Sequence, residues 1–157
     1  MSIEKVKAYF AERGMEHRVR EFEVSSATVE LAAAALGCEG CRIAKTMSFA
    51  IGDGAILIVA AGDVKIDNQK YKATFSTKAK MLSFDEVEAK IRHAVGGVCP
   101  FAINDGVKVY LDESLKRFET VFPACGSSNS AIELSIDELE KVSNYTSWVD
   151  VCKMREA

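Results

Sequence analysis

The chain has 157 residues, 48% of them hydrophobic and 27% charged, and carries a net charge of −3. That length suits one domain, residues 1–157, able to bury roughly 70% of the surface its unfolded form exposes, and the composition excludes a disordered chain. A negative balance argues against broad phosphate-backbone binding of the kind that duplex DNA requires. The longest strongly apolar stretch, Ala55 to Ala61, is far short of the ~20 residues a membrane span needs.

The chain opens on Met-Ser-Ile-Glu-Lys and runs straight into an amphipathic pattern, without the basic and then apolar order of a secretory signal, so a cytoplasmic protein is expected. Ser2 can cap a helix in which Ile3, Val6, Phe10 and Tyr9 share a face, with Gly14 at its exit. His17 to Val24 alternates like a strand. Ser25 and Ser26 offer caps for a second helix, Val29 to Leu36, which Gly37 ends. A strand from Ala44 to Ile51, the turn Gly52-Asp53-Gly54 and a strand from Ala55 to Ala61 give a strong hairpin signal. Asp67 caps a short Lys-rich helix, and a strand near Lys80 to Leu82 leads to Ser83-Phe-Asp-Glu86, a capping box opening a helix that ends at Gly96-Gly97. Val107 to Leu111 and Glu119 to Phe122 read as strands, Gly126 to Ser130 as a tight loop and Ala131 to Leu134 as a strand. Ser135-Ile-Asp-Glu138 is a second capping box. Interleaved elements with direct hairpins give an α+β class with a mixed, largely antiparallel sheet flanked by helices.

Five cysteines, Cys38, Cys41, Cys99, Cys125 and Cys152, form an odd set without an export signal, which reads as reduced thiols and not a disulfide framework. Cys38-Glu-Gly-Cys41 follows a helix end, whereas a thiolate-forming CxxC sits at a helix N-terminus. A zinc site would need a second close pair of ligands, and the remaining cysteines with His17 and His93 supply none, so no metal and no cofactor is expected. With two histidines and no G-x-S-x-G, P-loop or GxGxxG motif, a protein nucleophile is not evident.

The two-residue period of the strand Ala44 to Ile51 puts Lys45 on the same face as Met47, Phe49 and Ile51, while Ala44, Thr46, Ser48 and Ala50 form a small face. A lysine on the bulky face of a central strand either snorkels to an edge or serves a pocket there. The loop Gly96-Gly97-Val98-Cys99-Pro100-Phe101 could let backbone amides approach a carbonyl oxygen, or could be a glycine helix stop followed by a turn. The loop Gly126-Ser127-Ser128-Asn129-Ser130 could hold a ribose or phosphate, or be a turn only. Lys65, Lys70, Lys72, Lys78 and Lys80 form a basic run opposed by Asp67 alone, which is either a solvated face or a nucleic-acid contact.

Taken in order, Thr28-Val-Glu-Leu-Ala-Ala-Ala-Ala-Leu-Gly37, Arg42-Ile-Ala-Lys45-Thr46-Met-Ser-Phe, Gly62-Asp63, Gly96-Gly-Val-Cys-Pro-Phe101 and Gly126 to Leu134 resemble the YbaK/prolyl-tRNA synthetase-associated family over nearly the whole chain. The resemblance implies a free-standing editing enzyme that hydrolyses the ester of a mischarged amino acid, usually alanine or cysteine, on proline transfer RNA. It implies Lys45 as the essential cation, amides of the Gly96 to Phe101 loop, Gly97 foremost, on the substrate carbonyl, and a substrate ribose hydroxyl that positions water. Thr28, Thr46 and the Gly126 to Ser130 loop would complete the substrate contacts. The partners so implied are the acceptor end of aminoacyl-tRNA and prolyl-tRNA synthetase. Alanine-editing relatives carry a histidine close after the asparagine of the last loop, where this chain has Ser130 and Ala131, so the amino acid stays open. The rival class is a non-catalytic module that binds aminoacyl ends or a synthetase.

Overall fold

A computed structural model describes residues 2–93 and 96–155. Helix α1 (Ser2–Ala11) buries Val6 and Phe10 fully, as its 3.6-residue period dictates; a cap by the Ser2 side chain lies outside what is described. The expected strand from His17 shrinks to β1 (Val19–Glu21), because Glu16–Arg18 winds into a 3-10 turn. Helix α2 (Val29–Leu36) is capped not by Ser25 or Ser26 but by Thr28, whose hydroxyl accepts from Leu31 N at 3.1 Å. Ser25 accepts from Ala27 N, and Ser26 donates to the Ser128 carbonyl. Gly37 closes the helix in the left-handed region at φ +70°.

After a 3-10 turn at Gly40–Arg42 come β2 (Ile43–Ile51) and β3 (Gly54–Ala61), joined by the two-residue turn Gly52-Asp53 and in antiparallel register from Ala44↔Ala61 to Ile51↔Gly54. Strand β4 (Val64–Ile66) precedes α3 (Asn68–Phe75), whose Gln69 and Lys70 amides donate to Asp67. The segment at Lys80 to Leu82 is not a strand but a single bridge, Phe49↔Met81.

Helix α4 (Phe84–Ile91) opens on the expected capping box but stops early, at Arg92 with φ +85° and not at Gly96-Gly97. Asn104 explains the stop: its side-chain amide donates to the Ala89 and Lys90 carbonyls, satisfying acceptors that another turn of helix would have used. Next come β5 (Lys108–Asp112), a 3-10 turn at Glu113–Arg117, β6 (Thr120–Pro123), β7 (Ser130–Ile132), β8 (Leu134–Ser135), α5 (Ile136–Val142) on the second capping box, β9 (Ser147–Val149) and β10 (Cys152–Met154). The expected strand Ala131 to Leu134 divides at Glu133, since β7 pairs with β1 and β8 with β6.

The main sheet runs β8-β6-β2-β3-β5-β9. Among the described residues the pairs β1–β7, β2–β3, β4–β10 and β6–β8 are antiparallel, and β2–β6, β3–β5 and β5–β9 are parallel. This is a single-domain α+β fold on a mixed sheet. Alternate residues of β3 feed two cores: Leu57 and Val59 pack with Phe10, Ile91, Leu111 and Leu139, while Ile56 and Ile58 pack with Phe49, Tyr71 and Val151. At roughly 1.5–3 kcal/mol for each large apolar side chain buried, these two layers hold the sheet rigid beneath the site.

Candidate active site

Strand β2 is paired with β3 along its whole length but only at its ends on the other edge. Ile43 and Ala44 meet β6 there, and Ser48 and Ala50 bond the 80–82 segment, through Leu82 N to Ser48 O at 3.2 Å and Ala50 N to Lys80 O at 2.8 Å. In an antiparallel pair successive residues turn their backbone groups to opposite edges. Thr46, two residues from Ser48, therefore aims its N–H and C=O at the gap between the two pairings. A cavity of about 480 Å3 opens at that gap, within the range of small-ligand sites.

Its walls come from four parts of the chain. Strand β2 supplies Ala44, Lys45, Thr46 and Ser48; α2 and its cap supply Thr28, Val29 and Ala32; Gly96 and Val98 come from the loop after α4; Phe122, Ser130 and Ala131 come from β6 and β7. Met81, Leu82, Phe84 and Val87 complete the rim and side. Polar side chains face it from both sides, Lys45, Thr46 and Ser48 from β2 and Ser26, Thr28 and Ser130 from the opposite wall. The Thr46 hydroxyl oxygen is buried there with no hydrogen-bond partner among the described residues, an unmet demand that a bound group could satisfy.

Lys45 is half-buried, and its ammonium donates to the Val64 carbonyl, with no ion pair to a carboxylate among the described residues. Burial holds its pKa below the ordinary lysine value, and the nearby Arg155 guanidinium adds to that. The side chain thus reaches past the end of β3 to the start of β4, and also lines the cavity. Asp63 nearby is held by Arg117 in a two-pronged ion pair at 2.5 and 3.0 Å, and its charge also offsets part of the cost of the buried ammonium.

The two glycine loops, read separately in the sequence, are stacked on each other. A Cβ at Gly97 would lie 2.6 Å from the Gly126 carbonyl carbon and the Ser127 nitrogen, so only glycine permits the approach. Gly96, at φ +97°, reaches the cavity beside Ala27 and Ser128. Ser127 and Asn129 hold the second loop together: Ser127 Oγ donates to Ser130 Oγ at 2.7 Å, and the Asn129 amide donates to the Phe22 carbonyl. Of the residues singled out in the sequence, Thr28, Lys45, Thr46, Gly96, Val98 and Ser130 meet around the cavity. Gly97, Gly126, Ser127, Ser128 and Asn129 form the layer behind it, and Cys99, Pro100 and Phe101 run into the core, where the Phe101 ring lies 4.8 Å from that of Phe10.

A strut that the sequence did not show fixes this loop. His93 is fully buried and its Nε2–H donates to the Phe101 carbonyl at 2.6 Å, with Cys99 Sγ at 3.4 Å. Burial keeps the imidazole pKa low and pushes the Cys99 thiol up to about 12, so this pair is a neutral brace and not a thiolate nucleophile. Cys38 and Cys41 are free thiols, both with raised pKa through burial. Among the described residues no group of three or more His, Cys, Asp or Glu is placed to hold a metal, and no helix is long and apolar enough to cross a membrane.

Known proteins share the fold and the family. YwhH of Bacillus subtilis (strain 168), an uncharacterized protein, is 56% identical over 154 residues, covering 98% of both chains. A crystal structure described as that of a candidate trans-editing enzyme for prolyl tRNA synthetase superimposes with a TM-score of 0.86 at 27% identity, covering 97% of each chain. The hypothetical protein APE2540 shares the fold, with a TM-score of 0.78 at 24% identity over 91% of this chain and 99% of its own. The family model described as the aminoacyl-tRNA editing domain matches residues 23–142, which take in every wall of the cavity, and the chain belongs to that family.

Proposed function

We propose that the protein is a free-standing deacylase that removes a small, wrongly attached amino acid from transfer RNA, that of proline foremost. Water adds to the ester carbonyl, the bond between that carbon and the ribose oxygen breaks, and free amino acid and an intact 3′ hydroxyl result. Supporting this reading above all is the cavity at the open edge of β2, where a half-buried cation, a buried hydroxyl and a glycine loop converge around a small apolar space.

In this reading Lys45 binds a phosphate or carbonyl oxygen of the substrate, and its partial burial strengthens that attraction relative to a surface lysine. The amides of Gly96 and Val98 at the cavity wall, held there by the closely packed Gly97 between them, stabilise the carbonyl oxygen as charge grows on it. Thr46 and Ser130 contact the aminoacyl ester and ribose, and Thr28 closes the cavity's mouth. The Gly126 to Asn129 layer keeps the glycine loop in place. With no protein nucleophile in evidence, water is positioned by a hydroxyl of the substrate's own ribose, and the enzyme contributes orientation and exclusion of bulk solvent. Such a protein acts in the cytoplasm, with prolyl-tRNA synthetase as a partner.

Val29, Ala32, Ala44 and Ala131 leave room for a small side chain, and each methylene is discriminated by only ~1–3 kcal/mol. A deacylation screen of transfer RNAs charged with alanine, cysteine, serine and larger amino acids tests the proposal. Measurable hydrolysis of several neighbouring small residues is expected. Binding of every charged transfer RNA without turnover would replace it with a binding module, and a strong preference for a large aromatic amino acid would contradict the pocket assignment.

A further inference from the structure

Beside the cavity mouth the chain exposes two large apolar side chains, Met81 at 61% and Phe84 at 75% of their accessible surface. Exposure of this degree is unusual for phenylalanine, and both residues also line the cavity. Neither stands on a loose loop. Two backbone hydrogen bonds tie the 80–82 segment to β2, and the Ser83–Glu86 capping box fixes Phe84 at the first position of α4.

Behind this rim lie cations. Lys80 is exposed next to Met81, and Lys78 and Lys72 wall a surface recess of about 460 Å3 with Asn68 and Gln69. Among the described residues no carboxylate pairs with these three lysines, whereas Lys70 on the same helix is held by Asp150 at 3.0 Å. Of the acidic side chains in the first turn of α4, Glu86 is already engaged by the Ser83 amide and by Lys90. From Lys78 to Phe84 the chain spans at most ~20 Å, so the recess lies within a few nucleotides' reach of the rim and the cavity mouth.

We propose that recess and rim together seat the unpaired nucleotides at the 3′ end of an RNA, with Phe84 stacking on a base, Met81 packed beside it, and Lys72, Lys78 and Lys80 following the phosphates. It deepens the deacylase reading and rests on it for the identity of the RNA. An aromatic face for a base to stack on, with a thioether packed beside it and lysines along the backbone path, is a means by which single strands are held without sequence readout. A protein partner would suit the rim less well, because interface centres are depleted in lysine.

The test is fluorescence anisotropy of the full chain with a labelled RNA hexanucleotide ending in CCA, at two salt concentrations. Phe84→Ala should weaken binding roughly 10- to 100-fold, with Phe84→Trp restoring it. The double variant Lys78→Glu/Lys80→Glu should weaken binding and flatten its salt dependence, while Lys141→Glu, on the remote helix α5, should bind as the wild type does. Phe84 and both lysines are exposed, so circular dichroism and thermal melts should match the wild type. Equal affinity for wild type and Phe84→Ala, absence of RNA binding by the wild type, or loss of synthetase binding alone in Phe84→Ala would overturn the proposal. Because RNA binding is read without turnover, its failure is distinguishable from failure of the deacylation screen.

Discussion

On one face of β2, Phe49 and Ile51 pack with Ile56, Ile58 and Tyr71 into a filled core, Lys45 and Met47 at its near end reaching round to the cavity, while on the other Ala44, Thr46 and Ser48 border that cavity of about 480 Å3. One strand, with one backbone geometry, thus does two jobs, and side-chain size decides which. Bulk on the first face anchors the strand; smallness on the second leaves space that only the gap in edge pairing can open. The cavity therefore has its support directly behind it, one Cβ direction away.

Changes on the two faces should separate stability from function. The largest effect belongs to the filled face. Phe49→Ala removes a ring 5.2 Å from that of Tyr71 and should cost about 3–5 kcal/mol in urea unfolding; a loss below about 1 kcal/mol would mean that this face is not the anchor. On the open face, Thr46→Val exchanges a buried, unpartnered hydroxyl for a methyl group. Stability should stay level or rise, and deacylation should fall roughly tenfold, the worth of one hydrogen bond made only to substrate. Unchanged kinetics would remove Thr46 from the site.

The smallest effect lies away from both faces and serves as a control. The Arg18 guanidinium, then the Ser135 amide, pull the Glu138 carboxyl down to about 2. Since the folded pKa is depressed, the associated stability is present above the ordinary carboxylate value near ~4.3 and is lost as pH falls through about 2. Arg18→Met should flatten the stability profile across that window by at most ~1 kcal/mol, because both side chains are about one-third exposed. An effect of that size near pH 7 but no change in the acid slope would contradict the assignment.

Much of the scaffold was legible because its signals are local. The Gly52-Asp53 turn, the helix Val29 to Leu36 with its Gly37 stop and both capping boxes each settle their geometry within a few residues. What escaped depends on partners far away in sequence. Strands β4, β9 and β10 are three residues each and exist through pairing with segments up to 90 residues distant, and Asn104 stops α4 from beyond the loop. Lys45 stood out as a charge on a bulky face, and the small face opposite was visible as Ala44, Thr46 and Ser48. That this smallness meant a cavity was not legible, since Phe122, Ala131 and Phe84 reach it only after folding. His93 escaped for the same reason: a lone buried imidazole bracing a carbonyl leaves no motif.

The most direct test of the account is Lys45→Ala, measured for both deacylation and thermal unfolding. Losing one charge-assisted contact at such a site costs ~3 kcal/mol of transition-state stabilisation, so turnover should drop roughly a hundredfold. The melting temperature should hold or rise, because a half-buried ammonium is costly and alanine is not. A variant that deacylates normally, or one that unfolds, would show Lys45 to be a snorkelling structural residue and contradict the site described here.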